Sequence, residues 1–150
     1  DTGMETPMHS SHEQVDDSML AWHARRLGPR ADRIATLYAR GLRLSGLGRS
    51  MRTRLGRLVT QDPAGALAAL AHWPAERLAE QIRLGVSRSL VVEPFKLRDL
   101  GLARMAWIAA VGHASEGDWS DELARAWCWH LDAVCELLVA PGRGCQRLAA

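Results

Sequence analysis

Residues 94–111 read PFKLRDLGLARMAWIAAV, and the architecture turns on this stretch. Pro94 suits the first turn of a helix, where its missing N–H is a donor that would go unpaired anyway. Behind it, Phe95, Leu97, Leu100, Leu102, Met105, Trp107, Ile108 and Val111 put apolar side chains on nearly every side of that helix. A helix apolar all round has no solvent face and belongs at the centre of a bundle. The rest of the chain is therefore expected to wrap helices around it.

The flanking segments supply those helices. Downstream, Gly112 to Gly117 predicts a turn, and Asp118 or Ser120 predicts an N-cap, because a short side-chain oxygen there accepts from the first free N–H groups. The last helix then follows a seam of Trp119, Leu123, Trp127, Leu131, Val134 and Leu138 to about Val139, before Pro141, Gly142 and Gly144. Upstream, Ala75–Leu84 forms a helix between Trp73-Pro74 and Gly85, and Asp62-Pro63 opens a short one carrying Ala64, Leu67, Ala68 and Leu70. Arg49–Gln61 sets Met51, Leu55, Leu58 and Val59 on one side at i, i+4, i+7 and i+8, the spacing of an amphipathic helix. Further back, Ile34, Leu37, Tyr38, Gly41 and Leu42 recur at helical spacing after Pro29. A first helix spans about Glu13 to Leu27 and stops at Gly28-Pro29. Ser87–Val92 reads as a loop or short extended piece. The expectation is an all-α bundle of six to seven helices, with a disordered leader at 1–12, one helical domain at 13–140 and a flexible tail at 141–150.

Charge is the second informative pattern. The net charge is only +2, yet ten of the eighteen arginines fall between Arg25 and Arg57 beside a single acid, Asp32. Guanidinium presents a rigid fork of donors that matches carboxylates and phosphates in paired geometry. Arg26, Arg30, Arg33, Arg40, Arg43, Arg49, Arg52, Arg54 and Arg57 are therefore the candidate residues for binding an anionic partner. Some could instead pair with the acidic leader, since Glu13, Asp16 and Asp17 lie near Arg25, Arg26 and Arg30 in sequence. An acidic protein surface, or self-association, fits better than nucleic acid, because no aromatic side chain except Tyr38 is interleaved for stacking on bases.

Other features narrow the field. At 150 residues the chain can bury a core without disulfides or metals. Its longest apolar runs, such as Met105–Val111, fall far short of the roughly 20 residues of a membrane span. No secretory signal opens it, and Cys128, Cys135 and Cys145 show no zinc or disulfide spacing, so reduced thiols in a cytoplasmic protein are expected. There is no GxSxG, HExxH, P-loop or GxGxxG pattern. Asp121, Glu122, Asp132 and Glu136 fall on the outer face of the last helix. Catalysis is not expected. His72, His113 and His130 lack a second ligand at fixed spacing, so packing or solvation accounts for them. Trp129 is set off from the seam of Trp127, Leu131 and Val134, and an indole on a polar face marks a contact surface.

Three short stretches resemble the globins of bacteria. Leu37-Tyr38-Ala39-Arg40 is similar to their aromatic-bearing second helix, Ala75–Val86 with its Arg83-Leu84-Gly85-Val86 exit to their haem-ligating helix, and Trp119–Trp127 to the start of their last helix. The resemblance implies a globin-like fold over about residues 13–139. In that family the haem-ligating histidine sits four residues before the Gly-Val exit; here that position is Gln81, and an amide lacks the basic ring nitrogen that binds iron. The family also keeps a phenylalanine near the corner after its second helix, whereas this chain has only Phe95, in another region. Some sensor domains of this fold work without haem, which implies a regulatory or sensor module with no cofactor. The alternatives are a haem-containing gas-binding globin, ligated by His113 or His72, and a nucleic-acid-binding protein. An internal pocket, if formed, is expected between the Ala75–Leu84 helix and the central helix, lined by Leu78, Ile82, Met105 and Trp107.

Overall fold

The computed structural model describes residues 19–87 and 95–149, with side chains over 19–85 and 95–139. A helical stretch at 19–27 (α1) passes through a 3-10 turn, Gly28–Arg30, into α2 (Ala31–Leu44). Then follow α3 (Arg49–Thr60), α4 (Pro63–His72), α5 (Ala75–Ser87), α6 (Leu97–Ser115), a 3-10 turn at Glu116–Asp118, and α7 (Asp121–Ala149). No strand occurs among the described residues, so the all-α expectation holds. The expected leader at 1–12 and the start of the first helix, with Glu13, Asp16 and Asp17, lie outside the described residues, as do residues 88–92 of the expected Ser87–Val92 loop.

Helix α6 is the hub that its sequence predicts. Leu100, Ala103, Ala106, Trp107, Ala110, Val111 and Ala114 are buried on it, although Leu97 and Met105 face solvent. Helix α2 lies close against it because both helices carry small residues at the crossing: a Cβ added at Gly41 would sit 3.1 Å from the Cβ of Ala106. Ile34, Ala35, Tyr38 and Leu42 of α2 are buried around this contact. Burying a side chain such as Ile34 or Leu42 stabilises the fold by roughly 1.5–3 kcal/mol. On α7, Leu123, Trp127, Leu131, Val134 and Leu138 form the expected seam. A row of ring contacts runs through the centre, from Tyr38 to Trp107 (5.9 Å), Trp107 to Trp127 (5.8 Å) and Trp127 to His23 of α1 (6.2 Å). Tilted and edge-on arrangements of this kind match the ring quadrupoles.

Three sequence stop signals do not stop their helices, and tertiary packing explains each. Helix α6 runs through Gly112 to Ser115. A Cβ on Gly112 would come within 3.0 Å of the Trp119 ring, so this glycine serves a close approach; the break falls at Glu116, which takes φ 53°. Helix α5 likewise continues past Gly85 to Ser87, and a Cβ on Gly85 would lie 2.8 Å from Leu58 of α3. Helix α7 extends to Ala149, past Val139 and through Pro141. Proline has no N–H and therefore orphans the carbonyl four residues earlier, that of Leu137. That oxygen accepts a hydrogen bond from Nη2 of Arg83 on α5 instead (2.5 Å). A helix already propagated over many turns then continues at small further cost.

The caps follow local chemistry. The carboxylate of Asp62 accepts from the Gly65 N–H (3.1 Å) at the start of α4, as its place before Pro63 predicts. At the start of α7 it is Ser120, not Asp118, that accepts from the Leu123 N–H (3.2 Å). Gly46, in the link between α2 and α3, holds φ +85°, a left-handed conformation open to glycine at little cost.

Candidate functional site

The nine candidate arginines divide into two sets. Arg26 and Arg33 are exposed and Arg30 is half-buried, and all three turn toward the junction of α6 and α7. Nε of Arg26 donates to Asp118 (2.7 Å), Nη1 of Arg30 donates to the Ala114 carbonyl (2.6 Å), and Glu116 lies 3.9 Å from Arg30 and 3.7 Å from Arg33. The guanidinium of Arg26 holds the Asp118 carboxyl below the usual carboxylate range, chiefly through their hydrogen bond. These three form a clasp within the molecule. The remaining six, Arg40 and Arg43 on α2 and Arg49, Arg52, Arg54 and Arg57 on α3, have no carboxylate within ion-pair distance among the described residues. Arg52 and Arg54 are half-buried and the other four exposed. Helices α2 and α3 carry one acid between them, Asp32. Among the described residues, the arginines left without an acidic partner are thus six of the nine candidates.

A cavity of about 290 Å³ lies among α2 to α7. Leu78, Ile82 and Trp107 line it as expected, but Met105 does not: it is 63% exposed. The reason is helical geometry, since Met105 sits two residues from both Ala103 and Trp107, which do line the cavity, and two residues turn a helix to its far side. Tyr38, Leu55, Gln81, Arg104 and Cys135 complete the lining that matters chemically. The Tyr38 hydroxyl donates to the Leu55 carbonyl (3.3 Å), and the Cys135 thiol lies 3.9 Å from the Leu100 carbonyl. Burial pushes both groups up: Tyr38 rises well above the ordinary phenol range, and the Cys135 thiol rises also. Arg104 uses Nη1 on the Asp132 carboxylate, while its Nε–H is enclosed with no acceptor. The indole N–H of Trp107, a residue only 3% exposed, is enclosed without an acceptor as well.

Neither His72 nor His113 belongs to this lining; both are exposed, on α4 and α6. His130 is half-buried on α7. Among the described residues no three His, Cys, Asp or Glu side chains converge to hold a metal ion. Trp129 is 72% exposed, in keeping with its place off the α7 seam. Cys128 is half-buried and Cys135 buried, both as free thiols. No described helix is long and apolar enough to cross a membrane.

One buried polar group was not signalled as a candidate by any motif. His23 on α1 is fully enclosed, and its Nδ1 accepts from the Trp127 indole N–H (2.9 Å). The ring proton therefore sits on Nε2, which donates to Ser115 Oγ (2.6 Å), and Ser115 in turn donates to the Val111 carbonyl. Every member of this relay is satisfied. Desolvation lowers the His23 pKa from 6.5 to about 4, against a weaker opposing pull from Asp118. A serine beside a histidine invites comparison with nucleophilic catalysis, but Ser115 is 1% exposed and its proton is committed to a backbone carbonyl. The signal was present in the sequence all the same: Leu20, His23, Ala24 and Leu27 share one apolar stripe of α1.

Compared with known proteins, the chain matches no family model, no curated protein and no solved structure.

Proposed function

We propose that this chain is a non-enzymatic, cytoplasmic regulatory or sensor module, globin-like in helix order, whose arginine face on α2 and α3 docks an acidic protein surface. The observation that carries the reading is the set of six arginines that have no carboxylate partner among the described residues, on two adjoining helices that hold a single acid. Like charges held together repel, and an oppositely charged partner relieves that repulsion while steering its own approach. Exposed Trp129 offers an apolar anchor of the type that dominates protein interfaces, including one with a second copy of the chain. The globin-like arrangement is supported by the place of Gln81, the residue matched to the haem-ligating histidine, among the residues that line the cavity.

Haem forms no part of the proposal, because the residues present do not suit it. No histidine lines the cavity, and burial holds Tyr38 and Cys135 in their protonated forms, which are poor iron ligands.

Nucleic-acid binding stands as a second reading on one observation. The Ser45–Gly48 link with Gly46 at φ +85° leads into α3, which exposes Arg49, Thr53 and Arg57 on its outer side. Fluorescence anisotropy with a labelled Asp/Glu-rich peptide and with duplex DNA, at about 50 and 200 mM salt, separates the two. The proposal expects peptide binding that weakens when Arg49, Arg52 and Arg57 are all changed to Gln. Tighter binding to DNA moves the assignment to nucleic acid. Binding to neither, or binding indifferent to the three substitutions, removes the arginine face from the function.

A further inference from the structure

The cavity among α2 to α7 carries a second, independent site. Its walls are apolar side chains such as Leu55, Val59, Leu70, Leu78, Val134 and Leu138, and its volume of about 290 Å³ sits near the lower end of small-molecule pockets. Two polar features break that apolar lining on one helix. Trp107 Nε1–H and Arg104 Nε–H are both enclosed, both without an acceptor, and both belong to residues that border the cavity. Residues 104 and 107 stand in i, i+3 relation, which sets their Cβ atoms about 5–6 Å apart on the same side of α6. Indole and guanidinium nitrogens are donors only, so whatever satisfies them must bring lone pairs and need bring no proton.

Tyr38 donates to Leu55, the Cys135 thiol faces the Leu100 carbonyl, and Gln81 is exposed to solvent, so the buried demand left unmet among the lining groups is that of Arg104 and Trp107. A buried N–H left unpaired costs about 1–3 kcal/mol, which an acceptor arriving through the cavity would recover. A water accepting from both N–H groups would still need acceptors for its own two protons, and the rest of the wall is mostly hydrocarbon.

We propose that this cavity binds an apolar molecule of roughly a dozen heavy atoms whose head is an acceptor without a donor, a carboxylate or a carbonyl, received by the N–H groups of Trp107 and Arg104. A medium-length carboxylic acid in its ionised form and a neutral ketone of the same length share this chemistry. The Arg104 charge already faces Asp132, so the head need not be anionic. The site shares no residue with the proposed acidic-partner face, and either can fail alone.

The test uses the full chain labelled with ¹⁵N, titrated separately with decanoate, 2-decanone and decane. The Trp107 indole cross-peak is assigned by its loss in Trp107→Phe. Binding of decanoate or 2-decanone, with a downfield shift of that cross-peak and a raised Tm, is the expected result. Whichever of the two binds more tightly tells whether the natural head is charged or neutral. Arg104→Met is expected to weaken the acceptor-headed ligands about tenfold and leave decane unaffected, the loss of roughly one hydrogen bond. Because Arg104 is less buried than Trp107, this second variant keeps the test alive should Trp107→Phe fold poorly. Equal affinity for decane and decanoate, an unmoved indole cross-peak, or no binding of any of the three overturns the proposal.

Discussion

Acidification should destabilise this protein through His23 in particular, and replacing that residue should remove the effect. His23 is fully enclosed and neutral, with a pKa lowered from 6.5 to about 4 by desolvation. A lowered folded-state value means that the unfolded chain takes up the proton first. The contribution is therefore intact above pH 6.5, declines as pH falls from 6.5 toward 4, and levels off below that, where the folded form protonates too. A gap of about 2.5 units corresponds to roughly 3 kcal/mol over that window. In His23→Leu the slope disappears, but the Trp127 indole N–H loses its acceptor at a cost of about 1–3 kcal/mol at neutral pH. Urea unfolding followed by far-UV circular dichroism should show the wild type ahead at pH 7, with the lead vanishing or reversing near pH 4. Carboxylates common to both chains cancel in the difference. A gap between the two proteins that stays constant from pH 7 to 4 would refute the buried-neutral assignment.

Further outcomes follow from the packing. Arg83→Leu should destabilise the protein by about 1 kcal/mol by leaving the Leu137 carbonyl unpaired; the same change made on top of Pro141→Ala should cost measurably less, because alanine returns the missing N–H. A double-mutant cycle by urea denaturation reads that coupling, and additive effects would disprove the substitution of a side chain for the main-chain donor. Gly41→Leu has no room against Ala106, 3.1 Å from the first added carbon, and should lower stability by about 1–3 kcal/mol or more in thermal unfolding. The buried Cys135 thiol, its pKa raised by desolvation, should alkylate far more slowly at pH 8 in the folded protein than in urea, as measured by peptide mass spectrometry.

Much of the architecture was legible because it is periodic. The apolar faces of α2, α3 and α7 and the central place of α6 follow from spacing alone, and the Asp62 cap from a short-range hydrogen bond. What escaped is what depends on residues distant in sequence. Gly85 and Gly112 look like helix ends until Leu58 and Trp119 are seen pressed against them. Pro141 looks like a terminator until Arg83, on another helix, is found at the orphaned oxygen. Arg26 reaches Asp118 across 92 positions and Arg30 reaches Ala114 across 84, pairings that no local pattern discloses. At the cavity, Leu78, Ile82 and Trp107 were readable from helix faces, whereas on α6, apolar almost all round, nothing in the sequence said which side would turn inward. Met105 therefore looked as suitable as Arg104, which in fact borders the space.

The Arg83–Leu137 hydrogen bond has a mechanical corollary. A main-chain carbonyl midway along the longest described helix takes its proton donor from a neighbour, so sliding one without the other would strip that oxygen bare. Leu78, five residues before the anchoring Arg83, and Gln81 and Ile82, just before it, form part of the hollow's wall. Any swelling of that hollow which tilts α5 must drag the middle turns of α7 along, as a rudder follows its tiller.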